Sequence, residues 1–162
     1  MDALMIVDPA PRDSEQVRAA DEALAPLVER VRRTGGVLVQ VLDADDGPAP
    51  GPPEELSGYE RSAIGLGPDD LIVASGLPDA FEGVPELAEG LEDIGVDRVV
   101  LTGHDGQAVL QTALGALASE FEVVVATDAV VPAEDVDAAR LTAELEPFGG
   151  VCRPAGDLWL RL

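Results

Sequence analysis

Short aliphatic runs alternate along this chain with longer stretches in which apolar residues recur every three or four positions. The first run, ALMIVD at 3–8, is closed by Asp and Pro and predicts a buried strand. Between 14 and 36, Val17, Leu24, Leu27, Val28 and Val31 fall at helical spacing. Ser14 is placed to cap that helix and Gly35 to end it, while Pro26 inside it can introduce a kink. VLVQVLD at 37–43 predicts a second strand, and the Pro- and Gly-rich stretch at 43–58 a loop. Further strands are expected at 70–75, 98–103, 121–128 and 157–162, and further helices at 84–95, 107–119 and 133–149. The acidic helix at 84–95 turns Leu87, Leu91 and Ile94 inward.

Strands that are continuously aliphatic, separated by helices, belong to parallel sheets covered on both faces. The predicted fold is therefore α/β: a single domain over 1–162, three-layered, doubly wound and Rossmann-like, with a mostly parallel sheet of about six strands. No internal repeat interrupts this order.

Composition narrows the picture. At 46% hydrophobic but only 3% aromatic residues, the core must be built from Val, Leu, Ile and Ala. Against 32 acidic side chains stand 10 basic ones, a net charge of -22, and all the basic ones are Arg. Such a surface repels nucleic-acid phosphates and anionic lipids, so neither nucleic acid nor membrane is an expected partner. The bias fits a high-salt cytoplasm or, more plainly, a GC-rich genome that favours Arg over Lys. A single cysteine, Cys152, rules out an internal disulfide. The opening MDALMIVD lacks the basic flank and apolar length of a signal peptide, and no run approaches the ~20 residues of a membrane span, so the expected location is cytoplasmic. One His and one Cys do not make a zinc site of the usual kind, and no metal or other cofactor is expected.

In doubly wound sheets, ligands bind beyond the carboxyl ends of the strands. Those ends offer Asp8, Asp43, Ser75, the knot His104–Gln107 and Asp128. Asp8 reads either as a turn-capping carboxylate or as a partly buried general acid or base. His104 and Asp105 read either as loop residues bonded to local backbone or as an acid–base pair. GHDGQA is not a GxGxxG fingerprint, although the helix start near Gly106–Gln107 offers free N–H groups to an anion. Cys152 lies away from the strand ends and reads as a packed or surface thiol rather than a nucleophile.

Five segments, taken in order, are similar to the isochorismatase-like (cysteine hydrolase) family: LMIVD with Asp8, VRRTGGVLVQV, DLIVASGLPDAFEGVPEL, RVVLTGHDGQAVLQTALGAL and EFEVVVATDAVV. The resemblance implies a catalytic Asp, Lys and Cys. Asp8 matches the Asp. Counting back from Phe81 puts the Lys at or near Ser75, in a chain that has no lysine. The Cys place falls at Ala108 or Val109, and Thr112 suggests that one residue of the turn is deleted. Ala10 stands where the family usually carries Gln. His104, Asp105, Gln107 and Phe81 are the remaining residues expected to line the pocket.

Attack on an amide needs a nucleophile and a group to activate it, and neither Ala nor Val supplies one. The expectation is thus a family member with a degenerate triad, not a Cys-dependent amidase, kept as a binding or scaffolding pseudoenzyme. The alternative is a diverged hydrolase in which Asp8 acts as general acid or base on a small substrate, an isochorismate-like vinyl ether or an amide. Nicotinamidase-type metal chemistry fits least, because its site needs more than one His. Family habit implies a homo-oligomer, with a dimer the simplest form.

Overall fold

The protein is described here by a computed structural model covering residues 1–9, 14–44, 64–65 and 67–162. Of the loop expected at 43–58, residues 45–58 lie outside the described residues, as does the Ala10 position. Six parallel strands are present: β1 (Asp2–Val7), β2 (Val37–Asp43), β3 (Leu71–Ser75), β4 (Arg98–Gly103), β5 (Glu122–Val130) and β6 (Val151–Arg153). They lie in the order β3-β2-β1-β4-β5-β6, so the chain reverses direction across the sheet between β1 and β4. The α/β, doubly wound architecture read from the sequence is the one observed.

Helix α1 (Glu15–Thr34) starts and stops where its caps direct. The Ser14 hydroxyl accepts the Val17 N–H at 3.1 Å. Gly35 takes the left-handed conformation (φ 70), which lets the Gly36 N–H reach the Val31 carbonyl at 2.9 Å. Pro26 sits within α1 on its exposed side, where the carbonyl it deprives of a donor faces water.

Alternation along the strands sorts the core into two. Leu4, Ile6, Leu38 and Val100 point to one face and pack with Leu24, Leu27, Val28 and Val31 of α1. Ala3, Met5, Val39, Val99 and Leu101 point to the other. There they meet α2 (Ala80–Gly83), α3 (Leu87–Asp93), α4 (Gly106–Ala118) and α5 (Ala138–Leu145). Among the described residues no helix is long and apolar enough to cross a membrane.

Three expectations need correction. The helix expected at 133–149 is only α5, because the Asp137 carboxylate caps it late, accepting the Arg140 N–H at 2.8 Å. The helix expected at 84–95 is shorter (α3) and is preceded by the four-residue α2, which no periodicity announced. The strand expected at 157–162 is not one. The sixth strand is β6, and after a 3-10 turn at Ala155–Asp157 the tail runs along the start of β1. That tail is held by the Asp2 N–H on the Arg161 carbonyl at 2.8 Å and by burial of Leu160.

Candidate functional site

An open cleft of about 260 Å³ lies beyond the carboxyl ends of β1, β2 and β3, against the start of α4. This is the place the strand order predicts, beside its reversal. Asp8, Asp43, Ser75, Asp105, Gln107 and Ala108 line it, together with the loop Gly76–Pro78. That loop was not singled out in the sequence, although Ser-Gly-Leu-Pro directly after a strand is a turn signature.

Asp8 is buried and holds a left-handed backbone (φ 54), uncommon for a residue with a side chain. Its N–H donates to the Val41 carbonyl at 2.8 Å, and the His104 N–H donates to the Val7 carbonyl at 3.2 Å. The ends of β1, β2 and β4 are thereby drawn together. Gly103 permits the approach: its φ is 154, and a Cβ there would stand 2.0 Å from the Val7 carbonyl oxygen.

The Asp105 carboxylate caps α4, accepting the Gln107 N–H at 3.0 Å and the Ala108 N–H at 3.4 Å. It occupies the N–H groups that the sequence had left open for an anion. The Ser75 hydroxyl is likewise engaged, donating to the Leu77 carbonyl at 2.6 Å and accepting the Leu77 N–H at 3.2 Å. It shapes the cleft wall rather than standing ready as a nucleophile. Beyond the wall, Asp79 caps α2 through the Phe81 N–H at 2.9 Å, and burial pushes its carboxyl pKa up against that hydrogen bond.

Thr112 ties this wall to α4. Its hydroxyl accepts the Ala80 N–H at 3.1 Å and donates to the Pro78 carbonyl at 3.0 Å. Replacing it with the isosteric Val leaves the buried Ala80 N–H without its acceptor, at a cost of about 2 kcal/mol. Thr112→Val is therefore expected to lower Tm by roughly 5 °C in a thermal melt. An unchanged melting curve would show that the wall does not depend on this tie.

Two expected lining residues lie elsewhere. His104 is buried on the α1 side of the sheet, with its Nε2 2.7 Å from Asp21 Oδ1. The alternation of β4 explains this: Val100 and Thr102 are even-numbered, Val100 packs against α1, and His104 continues that face. His104 and Asp105 are therefore not an acid–base pair in the cleft. Phe81 packs in the core against Phe121, with ring centroids 5.7 Å apart. Two other sequence candidates also stand apart. The Asp128 carboxylate accepts the Ala155 N–H at 2.7 Å and fixes the turn after β6. Cys152 is on β6, three strands from β1, roughly 14 Å away at ordinary strand spacing. Burial pushes its thiol pKa up.

The two places where the family resemblance implies a cysteine differ sharply. Ala108 is 9% exposed and lines the cleft, whereas Val109 is 0% exposed and belongs to the core. Among the described residues no group of His, Cys, Asp and Glu is gathered to hold a metal ion. The single His, turned to Asp21, does not fit a metal in this cleft.

The domain is doubly wound and parallel, with an acidic cleft at its strand reversal. Residues 2–155 match the family described as the isochorismatase domain, and the chain belongs to that family. Among the solved structures that share its fold are the following three. N-carbamoylsarcosine amidase from Thermoplasma acidophilum is 22% identical, with a TM-score of 0.77, over 97% of this chain and 98% of that one. The pyrazinamidase of Pyrococcus horikoshii, solved in complex with zinc, is 24% identical, with a TM-score of 0.71, over 94% and 98%. An isochorismatase family protein from Burkholderia thailandensis is 24% identical, with a TM-score of 0.74, over 97% and 93%. At these identities the likeness establishes the fold. A search of curated proteins gave no match.

Proposed function

We propose that this chain binds a small molecule in the cleft and does not perform thiol-dependent amide hydrolysis. The observation that carries this reading is the methyl group of Ala108 on the wall of an open cleft, at the helix start where the family resemblance puts a cysteine. The chain has no lysine, and its one thiol is strands away. Ser75, at or near the place where the resemblance implies the lysine, has its hydroxyl bound to the Leu77 backbone. Among the described residues the wall carries no thiol and no amine, yet the cleft is open and lined by the polar groups of Asp8, Asp43, Asp105 and Gln107.

A second reading rests on Asp8. A side-chain-bearing residue held at positive φ beside a cleft stores strain of about 1–3 kcal/mol, and such positions cluster at functional sites. On this reading Asp8 donates its carboxyl proton to the methylene carbon of a vinyl ether. The resulting oxocarbenium centre is then hydrated, and the ether C–O bond breaks.

The test is a panel of small amides, carbamoyl compounds and isochorismate, offered to the wild-type protein and to Asp8→Asn. The binding reading expects saturable chemical-shift changes at Gly76 and Gln107 with at least one ligand and no turnover of any. Turnover of isochorismate that disappears in Asp8→Asn would establish the second reading instead. Amide turnover would overturn the first.

A further inference from the structure

We propose that the groove along β6 and the starts of β4 and β5 binds a free amino acid with an apolar, preferably aromatic, side chain, as its zwitterion. The groove lies at the opposite end of the parallel sheet from the cleft, and the proposal stands independently of the function given above. It measures about 470 Å³, within the ~300–1,000 Å³ usual for small-molecule pockets. Val123, Val151 and Leu158 give it an apolar lining, and Trp159, 83% exposed, forms part of the wall. An indole left this far in water, in a chain with 3% aromatic residues, offers a ring face for stacking.

The chemistry of the ligand follows from which charges in the groove are already engaged. Arg98 is committed to Asp2 and to the Trp159 carbonyl, and Glu122 to Arg161. Two charged groups remain. The Arg153 guanidinium and the Asp157 carboxylate line the groove and make no hydrogen bond or ion pair with any described residue, nor with each other. They stand at the two ends of one braced turn. Arg153 closes β6, the Asp128 carboxylate accepts the Ala155 N–H at 2.7 Å, and the Asp157 N–H donates to the Pro154 carbonyl at 3.0 Å. The backbone carrying both charges is thus fixed before any ligand arrives. A planar guanidinium takes a carboxylate in two parallel hydrogen bonds, and a carboxylate takes an ammonium. An opening that presents both calls for a ligand with both opposite charges close together, and an α-amino acid is the simplest such molecule. Its side chain then lies on Val151, Leu158 and Trp159. Net charge disfavours simpler ligands. On a chain of charge -22 a free anion is repelled at long range, and a free cation is drawn to the acidic surface at large rather than here. A zwitterion has no net charge to be repelled and is held only where both of its ends are answered.

L-phenylalanine is the probe, beside 3-phenylpropanoate, which lacks the ammonium, and phenethylamine, which lacks the carboxylate. Trp159 is the chain's only tryptophan, so its emission, excited where phenylalanine does not absorb, reads the groove directly. A saturable change is expected with phenylalanine, with a Kd on the order of 1 mM for so small a ligand in an open groove. Both truncated analogues should bind at least about tenfold more weakly. Arg153→Gln and Asp157→Asn should each weaken phenylalanine at least about tenfold. Their melting curves should equal wild type, because neither side chain has a partner to lose among the described residues. Arg153→Gln should leave phenethylamine binding as it was, and Asp157→Asn that of 3-phenylpropanoate. No saturable change by about 20 mM would overturn the proposal. So would equal binding of all three compounds, which marks an apolar surface without charge recognition, and so would phenylalanine binding that both variants retain. An emission change that follows protein concentration rather than ligand would give the groove to another copy of the chain and overturn it too.

Discussion

Asp2→Ala is expected to lower Tm by roughly 6–12 °C. Asp2 is 1% exposed at the first position of the central strand. Its carboxylate accepts from Arg98 Nε at 2.9 Å, from the Arg161 N–H at 2.6 Å and from Arg161 Nε at 3.2 Å. Three distant segments thus converge on one buried group: β1, the start of β4, and the carboxyl-terminal tail. Arg98 is itself largely shielded, and it also donates to the Trp159 carbonyl at 2.7 Å. Truncating Asp2 strands that guanidinium without its counter-charge, and breaking such a pair costs about 3 kcal/mol or more. Arg161, nearly half exposed, adds little beyond its backbone bond. Glu89→Ala is the control: it removes the same charge from an exposed position on α3. A loss for Asp2→Ala no greater than that of the control, measured by calorimetry, would show that the tail and sheet hold without this carboxylate.

The same region shows where the sequence can be read and where it misleads. Leu158, Leu160 and Leu162 alternate with other residues as strand residues do, and 157–162 reads as a last strand. Alternation does not establish a ladder: in this tail only Leu160 is buried, while Leu158 is half-buried and Leu162 is exposed. The tail is pinned to Asp2 by a few hydrogen bonds instead of a ladder. The true edge strand, Val151–Arg153, is too short for any periodicity to register. The four inner strands were legible because burial on both faces makes them continuously aliphatic, and α1 because Ser14 and Gly35 fix its ends through local chemistry.

The site was legible in part, for a related reason. Strand ends are visible in sequence, so Asp8, Asp43, Ser75 and the α4 turn could be named. The side to which a residue turns after the strand has ended is a matter of phase. His104 keeps the phase of β4 and goes to α1, while Asp105, one residue on, reaches the cleft. Phe81 was expected in the pocket through the resemblance of its segment, which does not register that α2 carries the ring into the core. The Ser75–Leu77 and Thr112–Pro78 bonds that build the cleft wall carry no sequence signature beyond the turn residues themselves.

Phase also governs the prediction that bears most directly on chemistry. In a Cys152→Ala background, Ala108→Cys is expected to react with iodoacetamide at least about 100-fold faster than Val109→Cys. A thiol at 108 extends from the cleft wall. One at 109 replaces a fully buried core side chain and reacts only when α4 opens locally, and an opening that costs about 3 kcal/mol slows the reaction roughly 100-fold. Both variants should keep the fold, since Cys packs as a small hydrophobe. The background is needed because Cys152 is itself half-buried, with a raised pKa, and would add a slow reaction of its own. If 108 is the reactive place, the turn from Gly103 into α4 is one residue shorter than the family pattern, and Thr112 falls four positions after the vacancy on the same side of the helix. The paired variant Ser75→Lys with Val109→Cys should then show no amidase activity, because its thiol points into the core. Equal labelling at 109, or amidase activity from that pair, would place the vacancy at Val109 and show the turn to be intact. The departure from the family pattern would then amount to two side-chain changes on an unaltered backbone. With the vacancy at Ala108 the backbone that would aim a nucleophile has itself changed, and a misplacement of about 1 Å already costs on the order of 100-fold in rate.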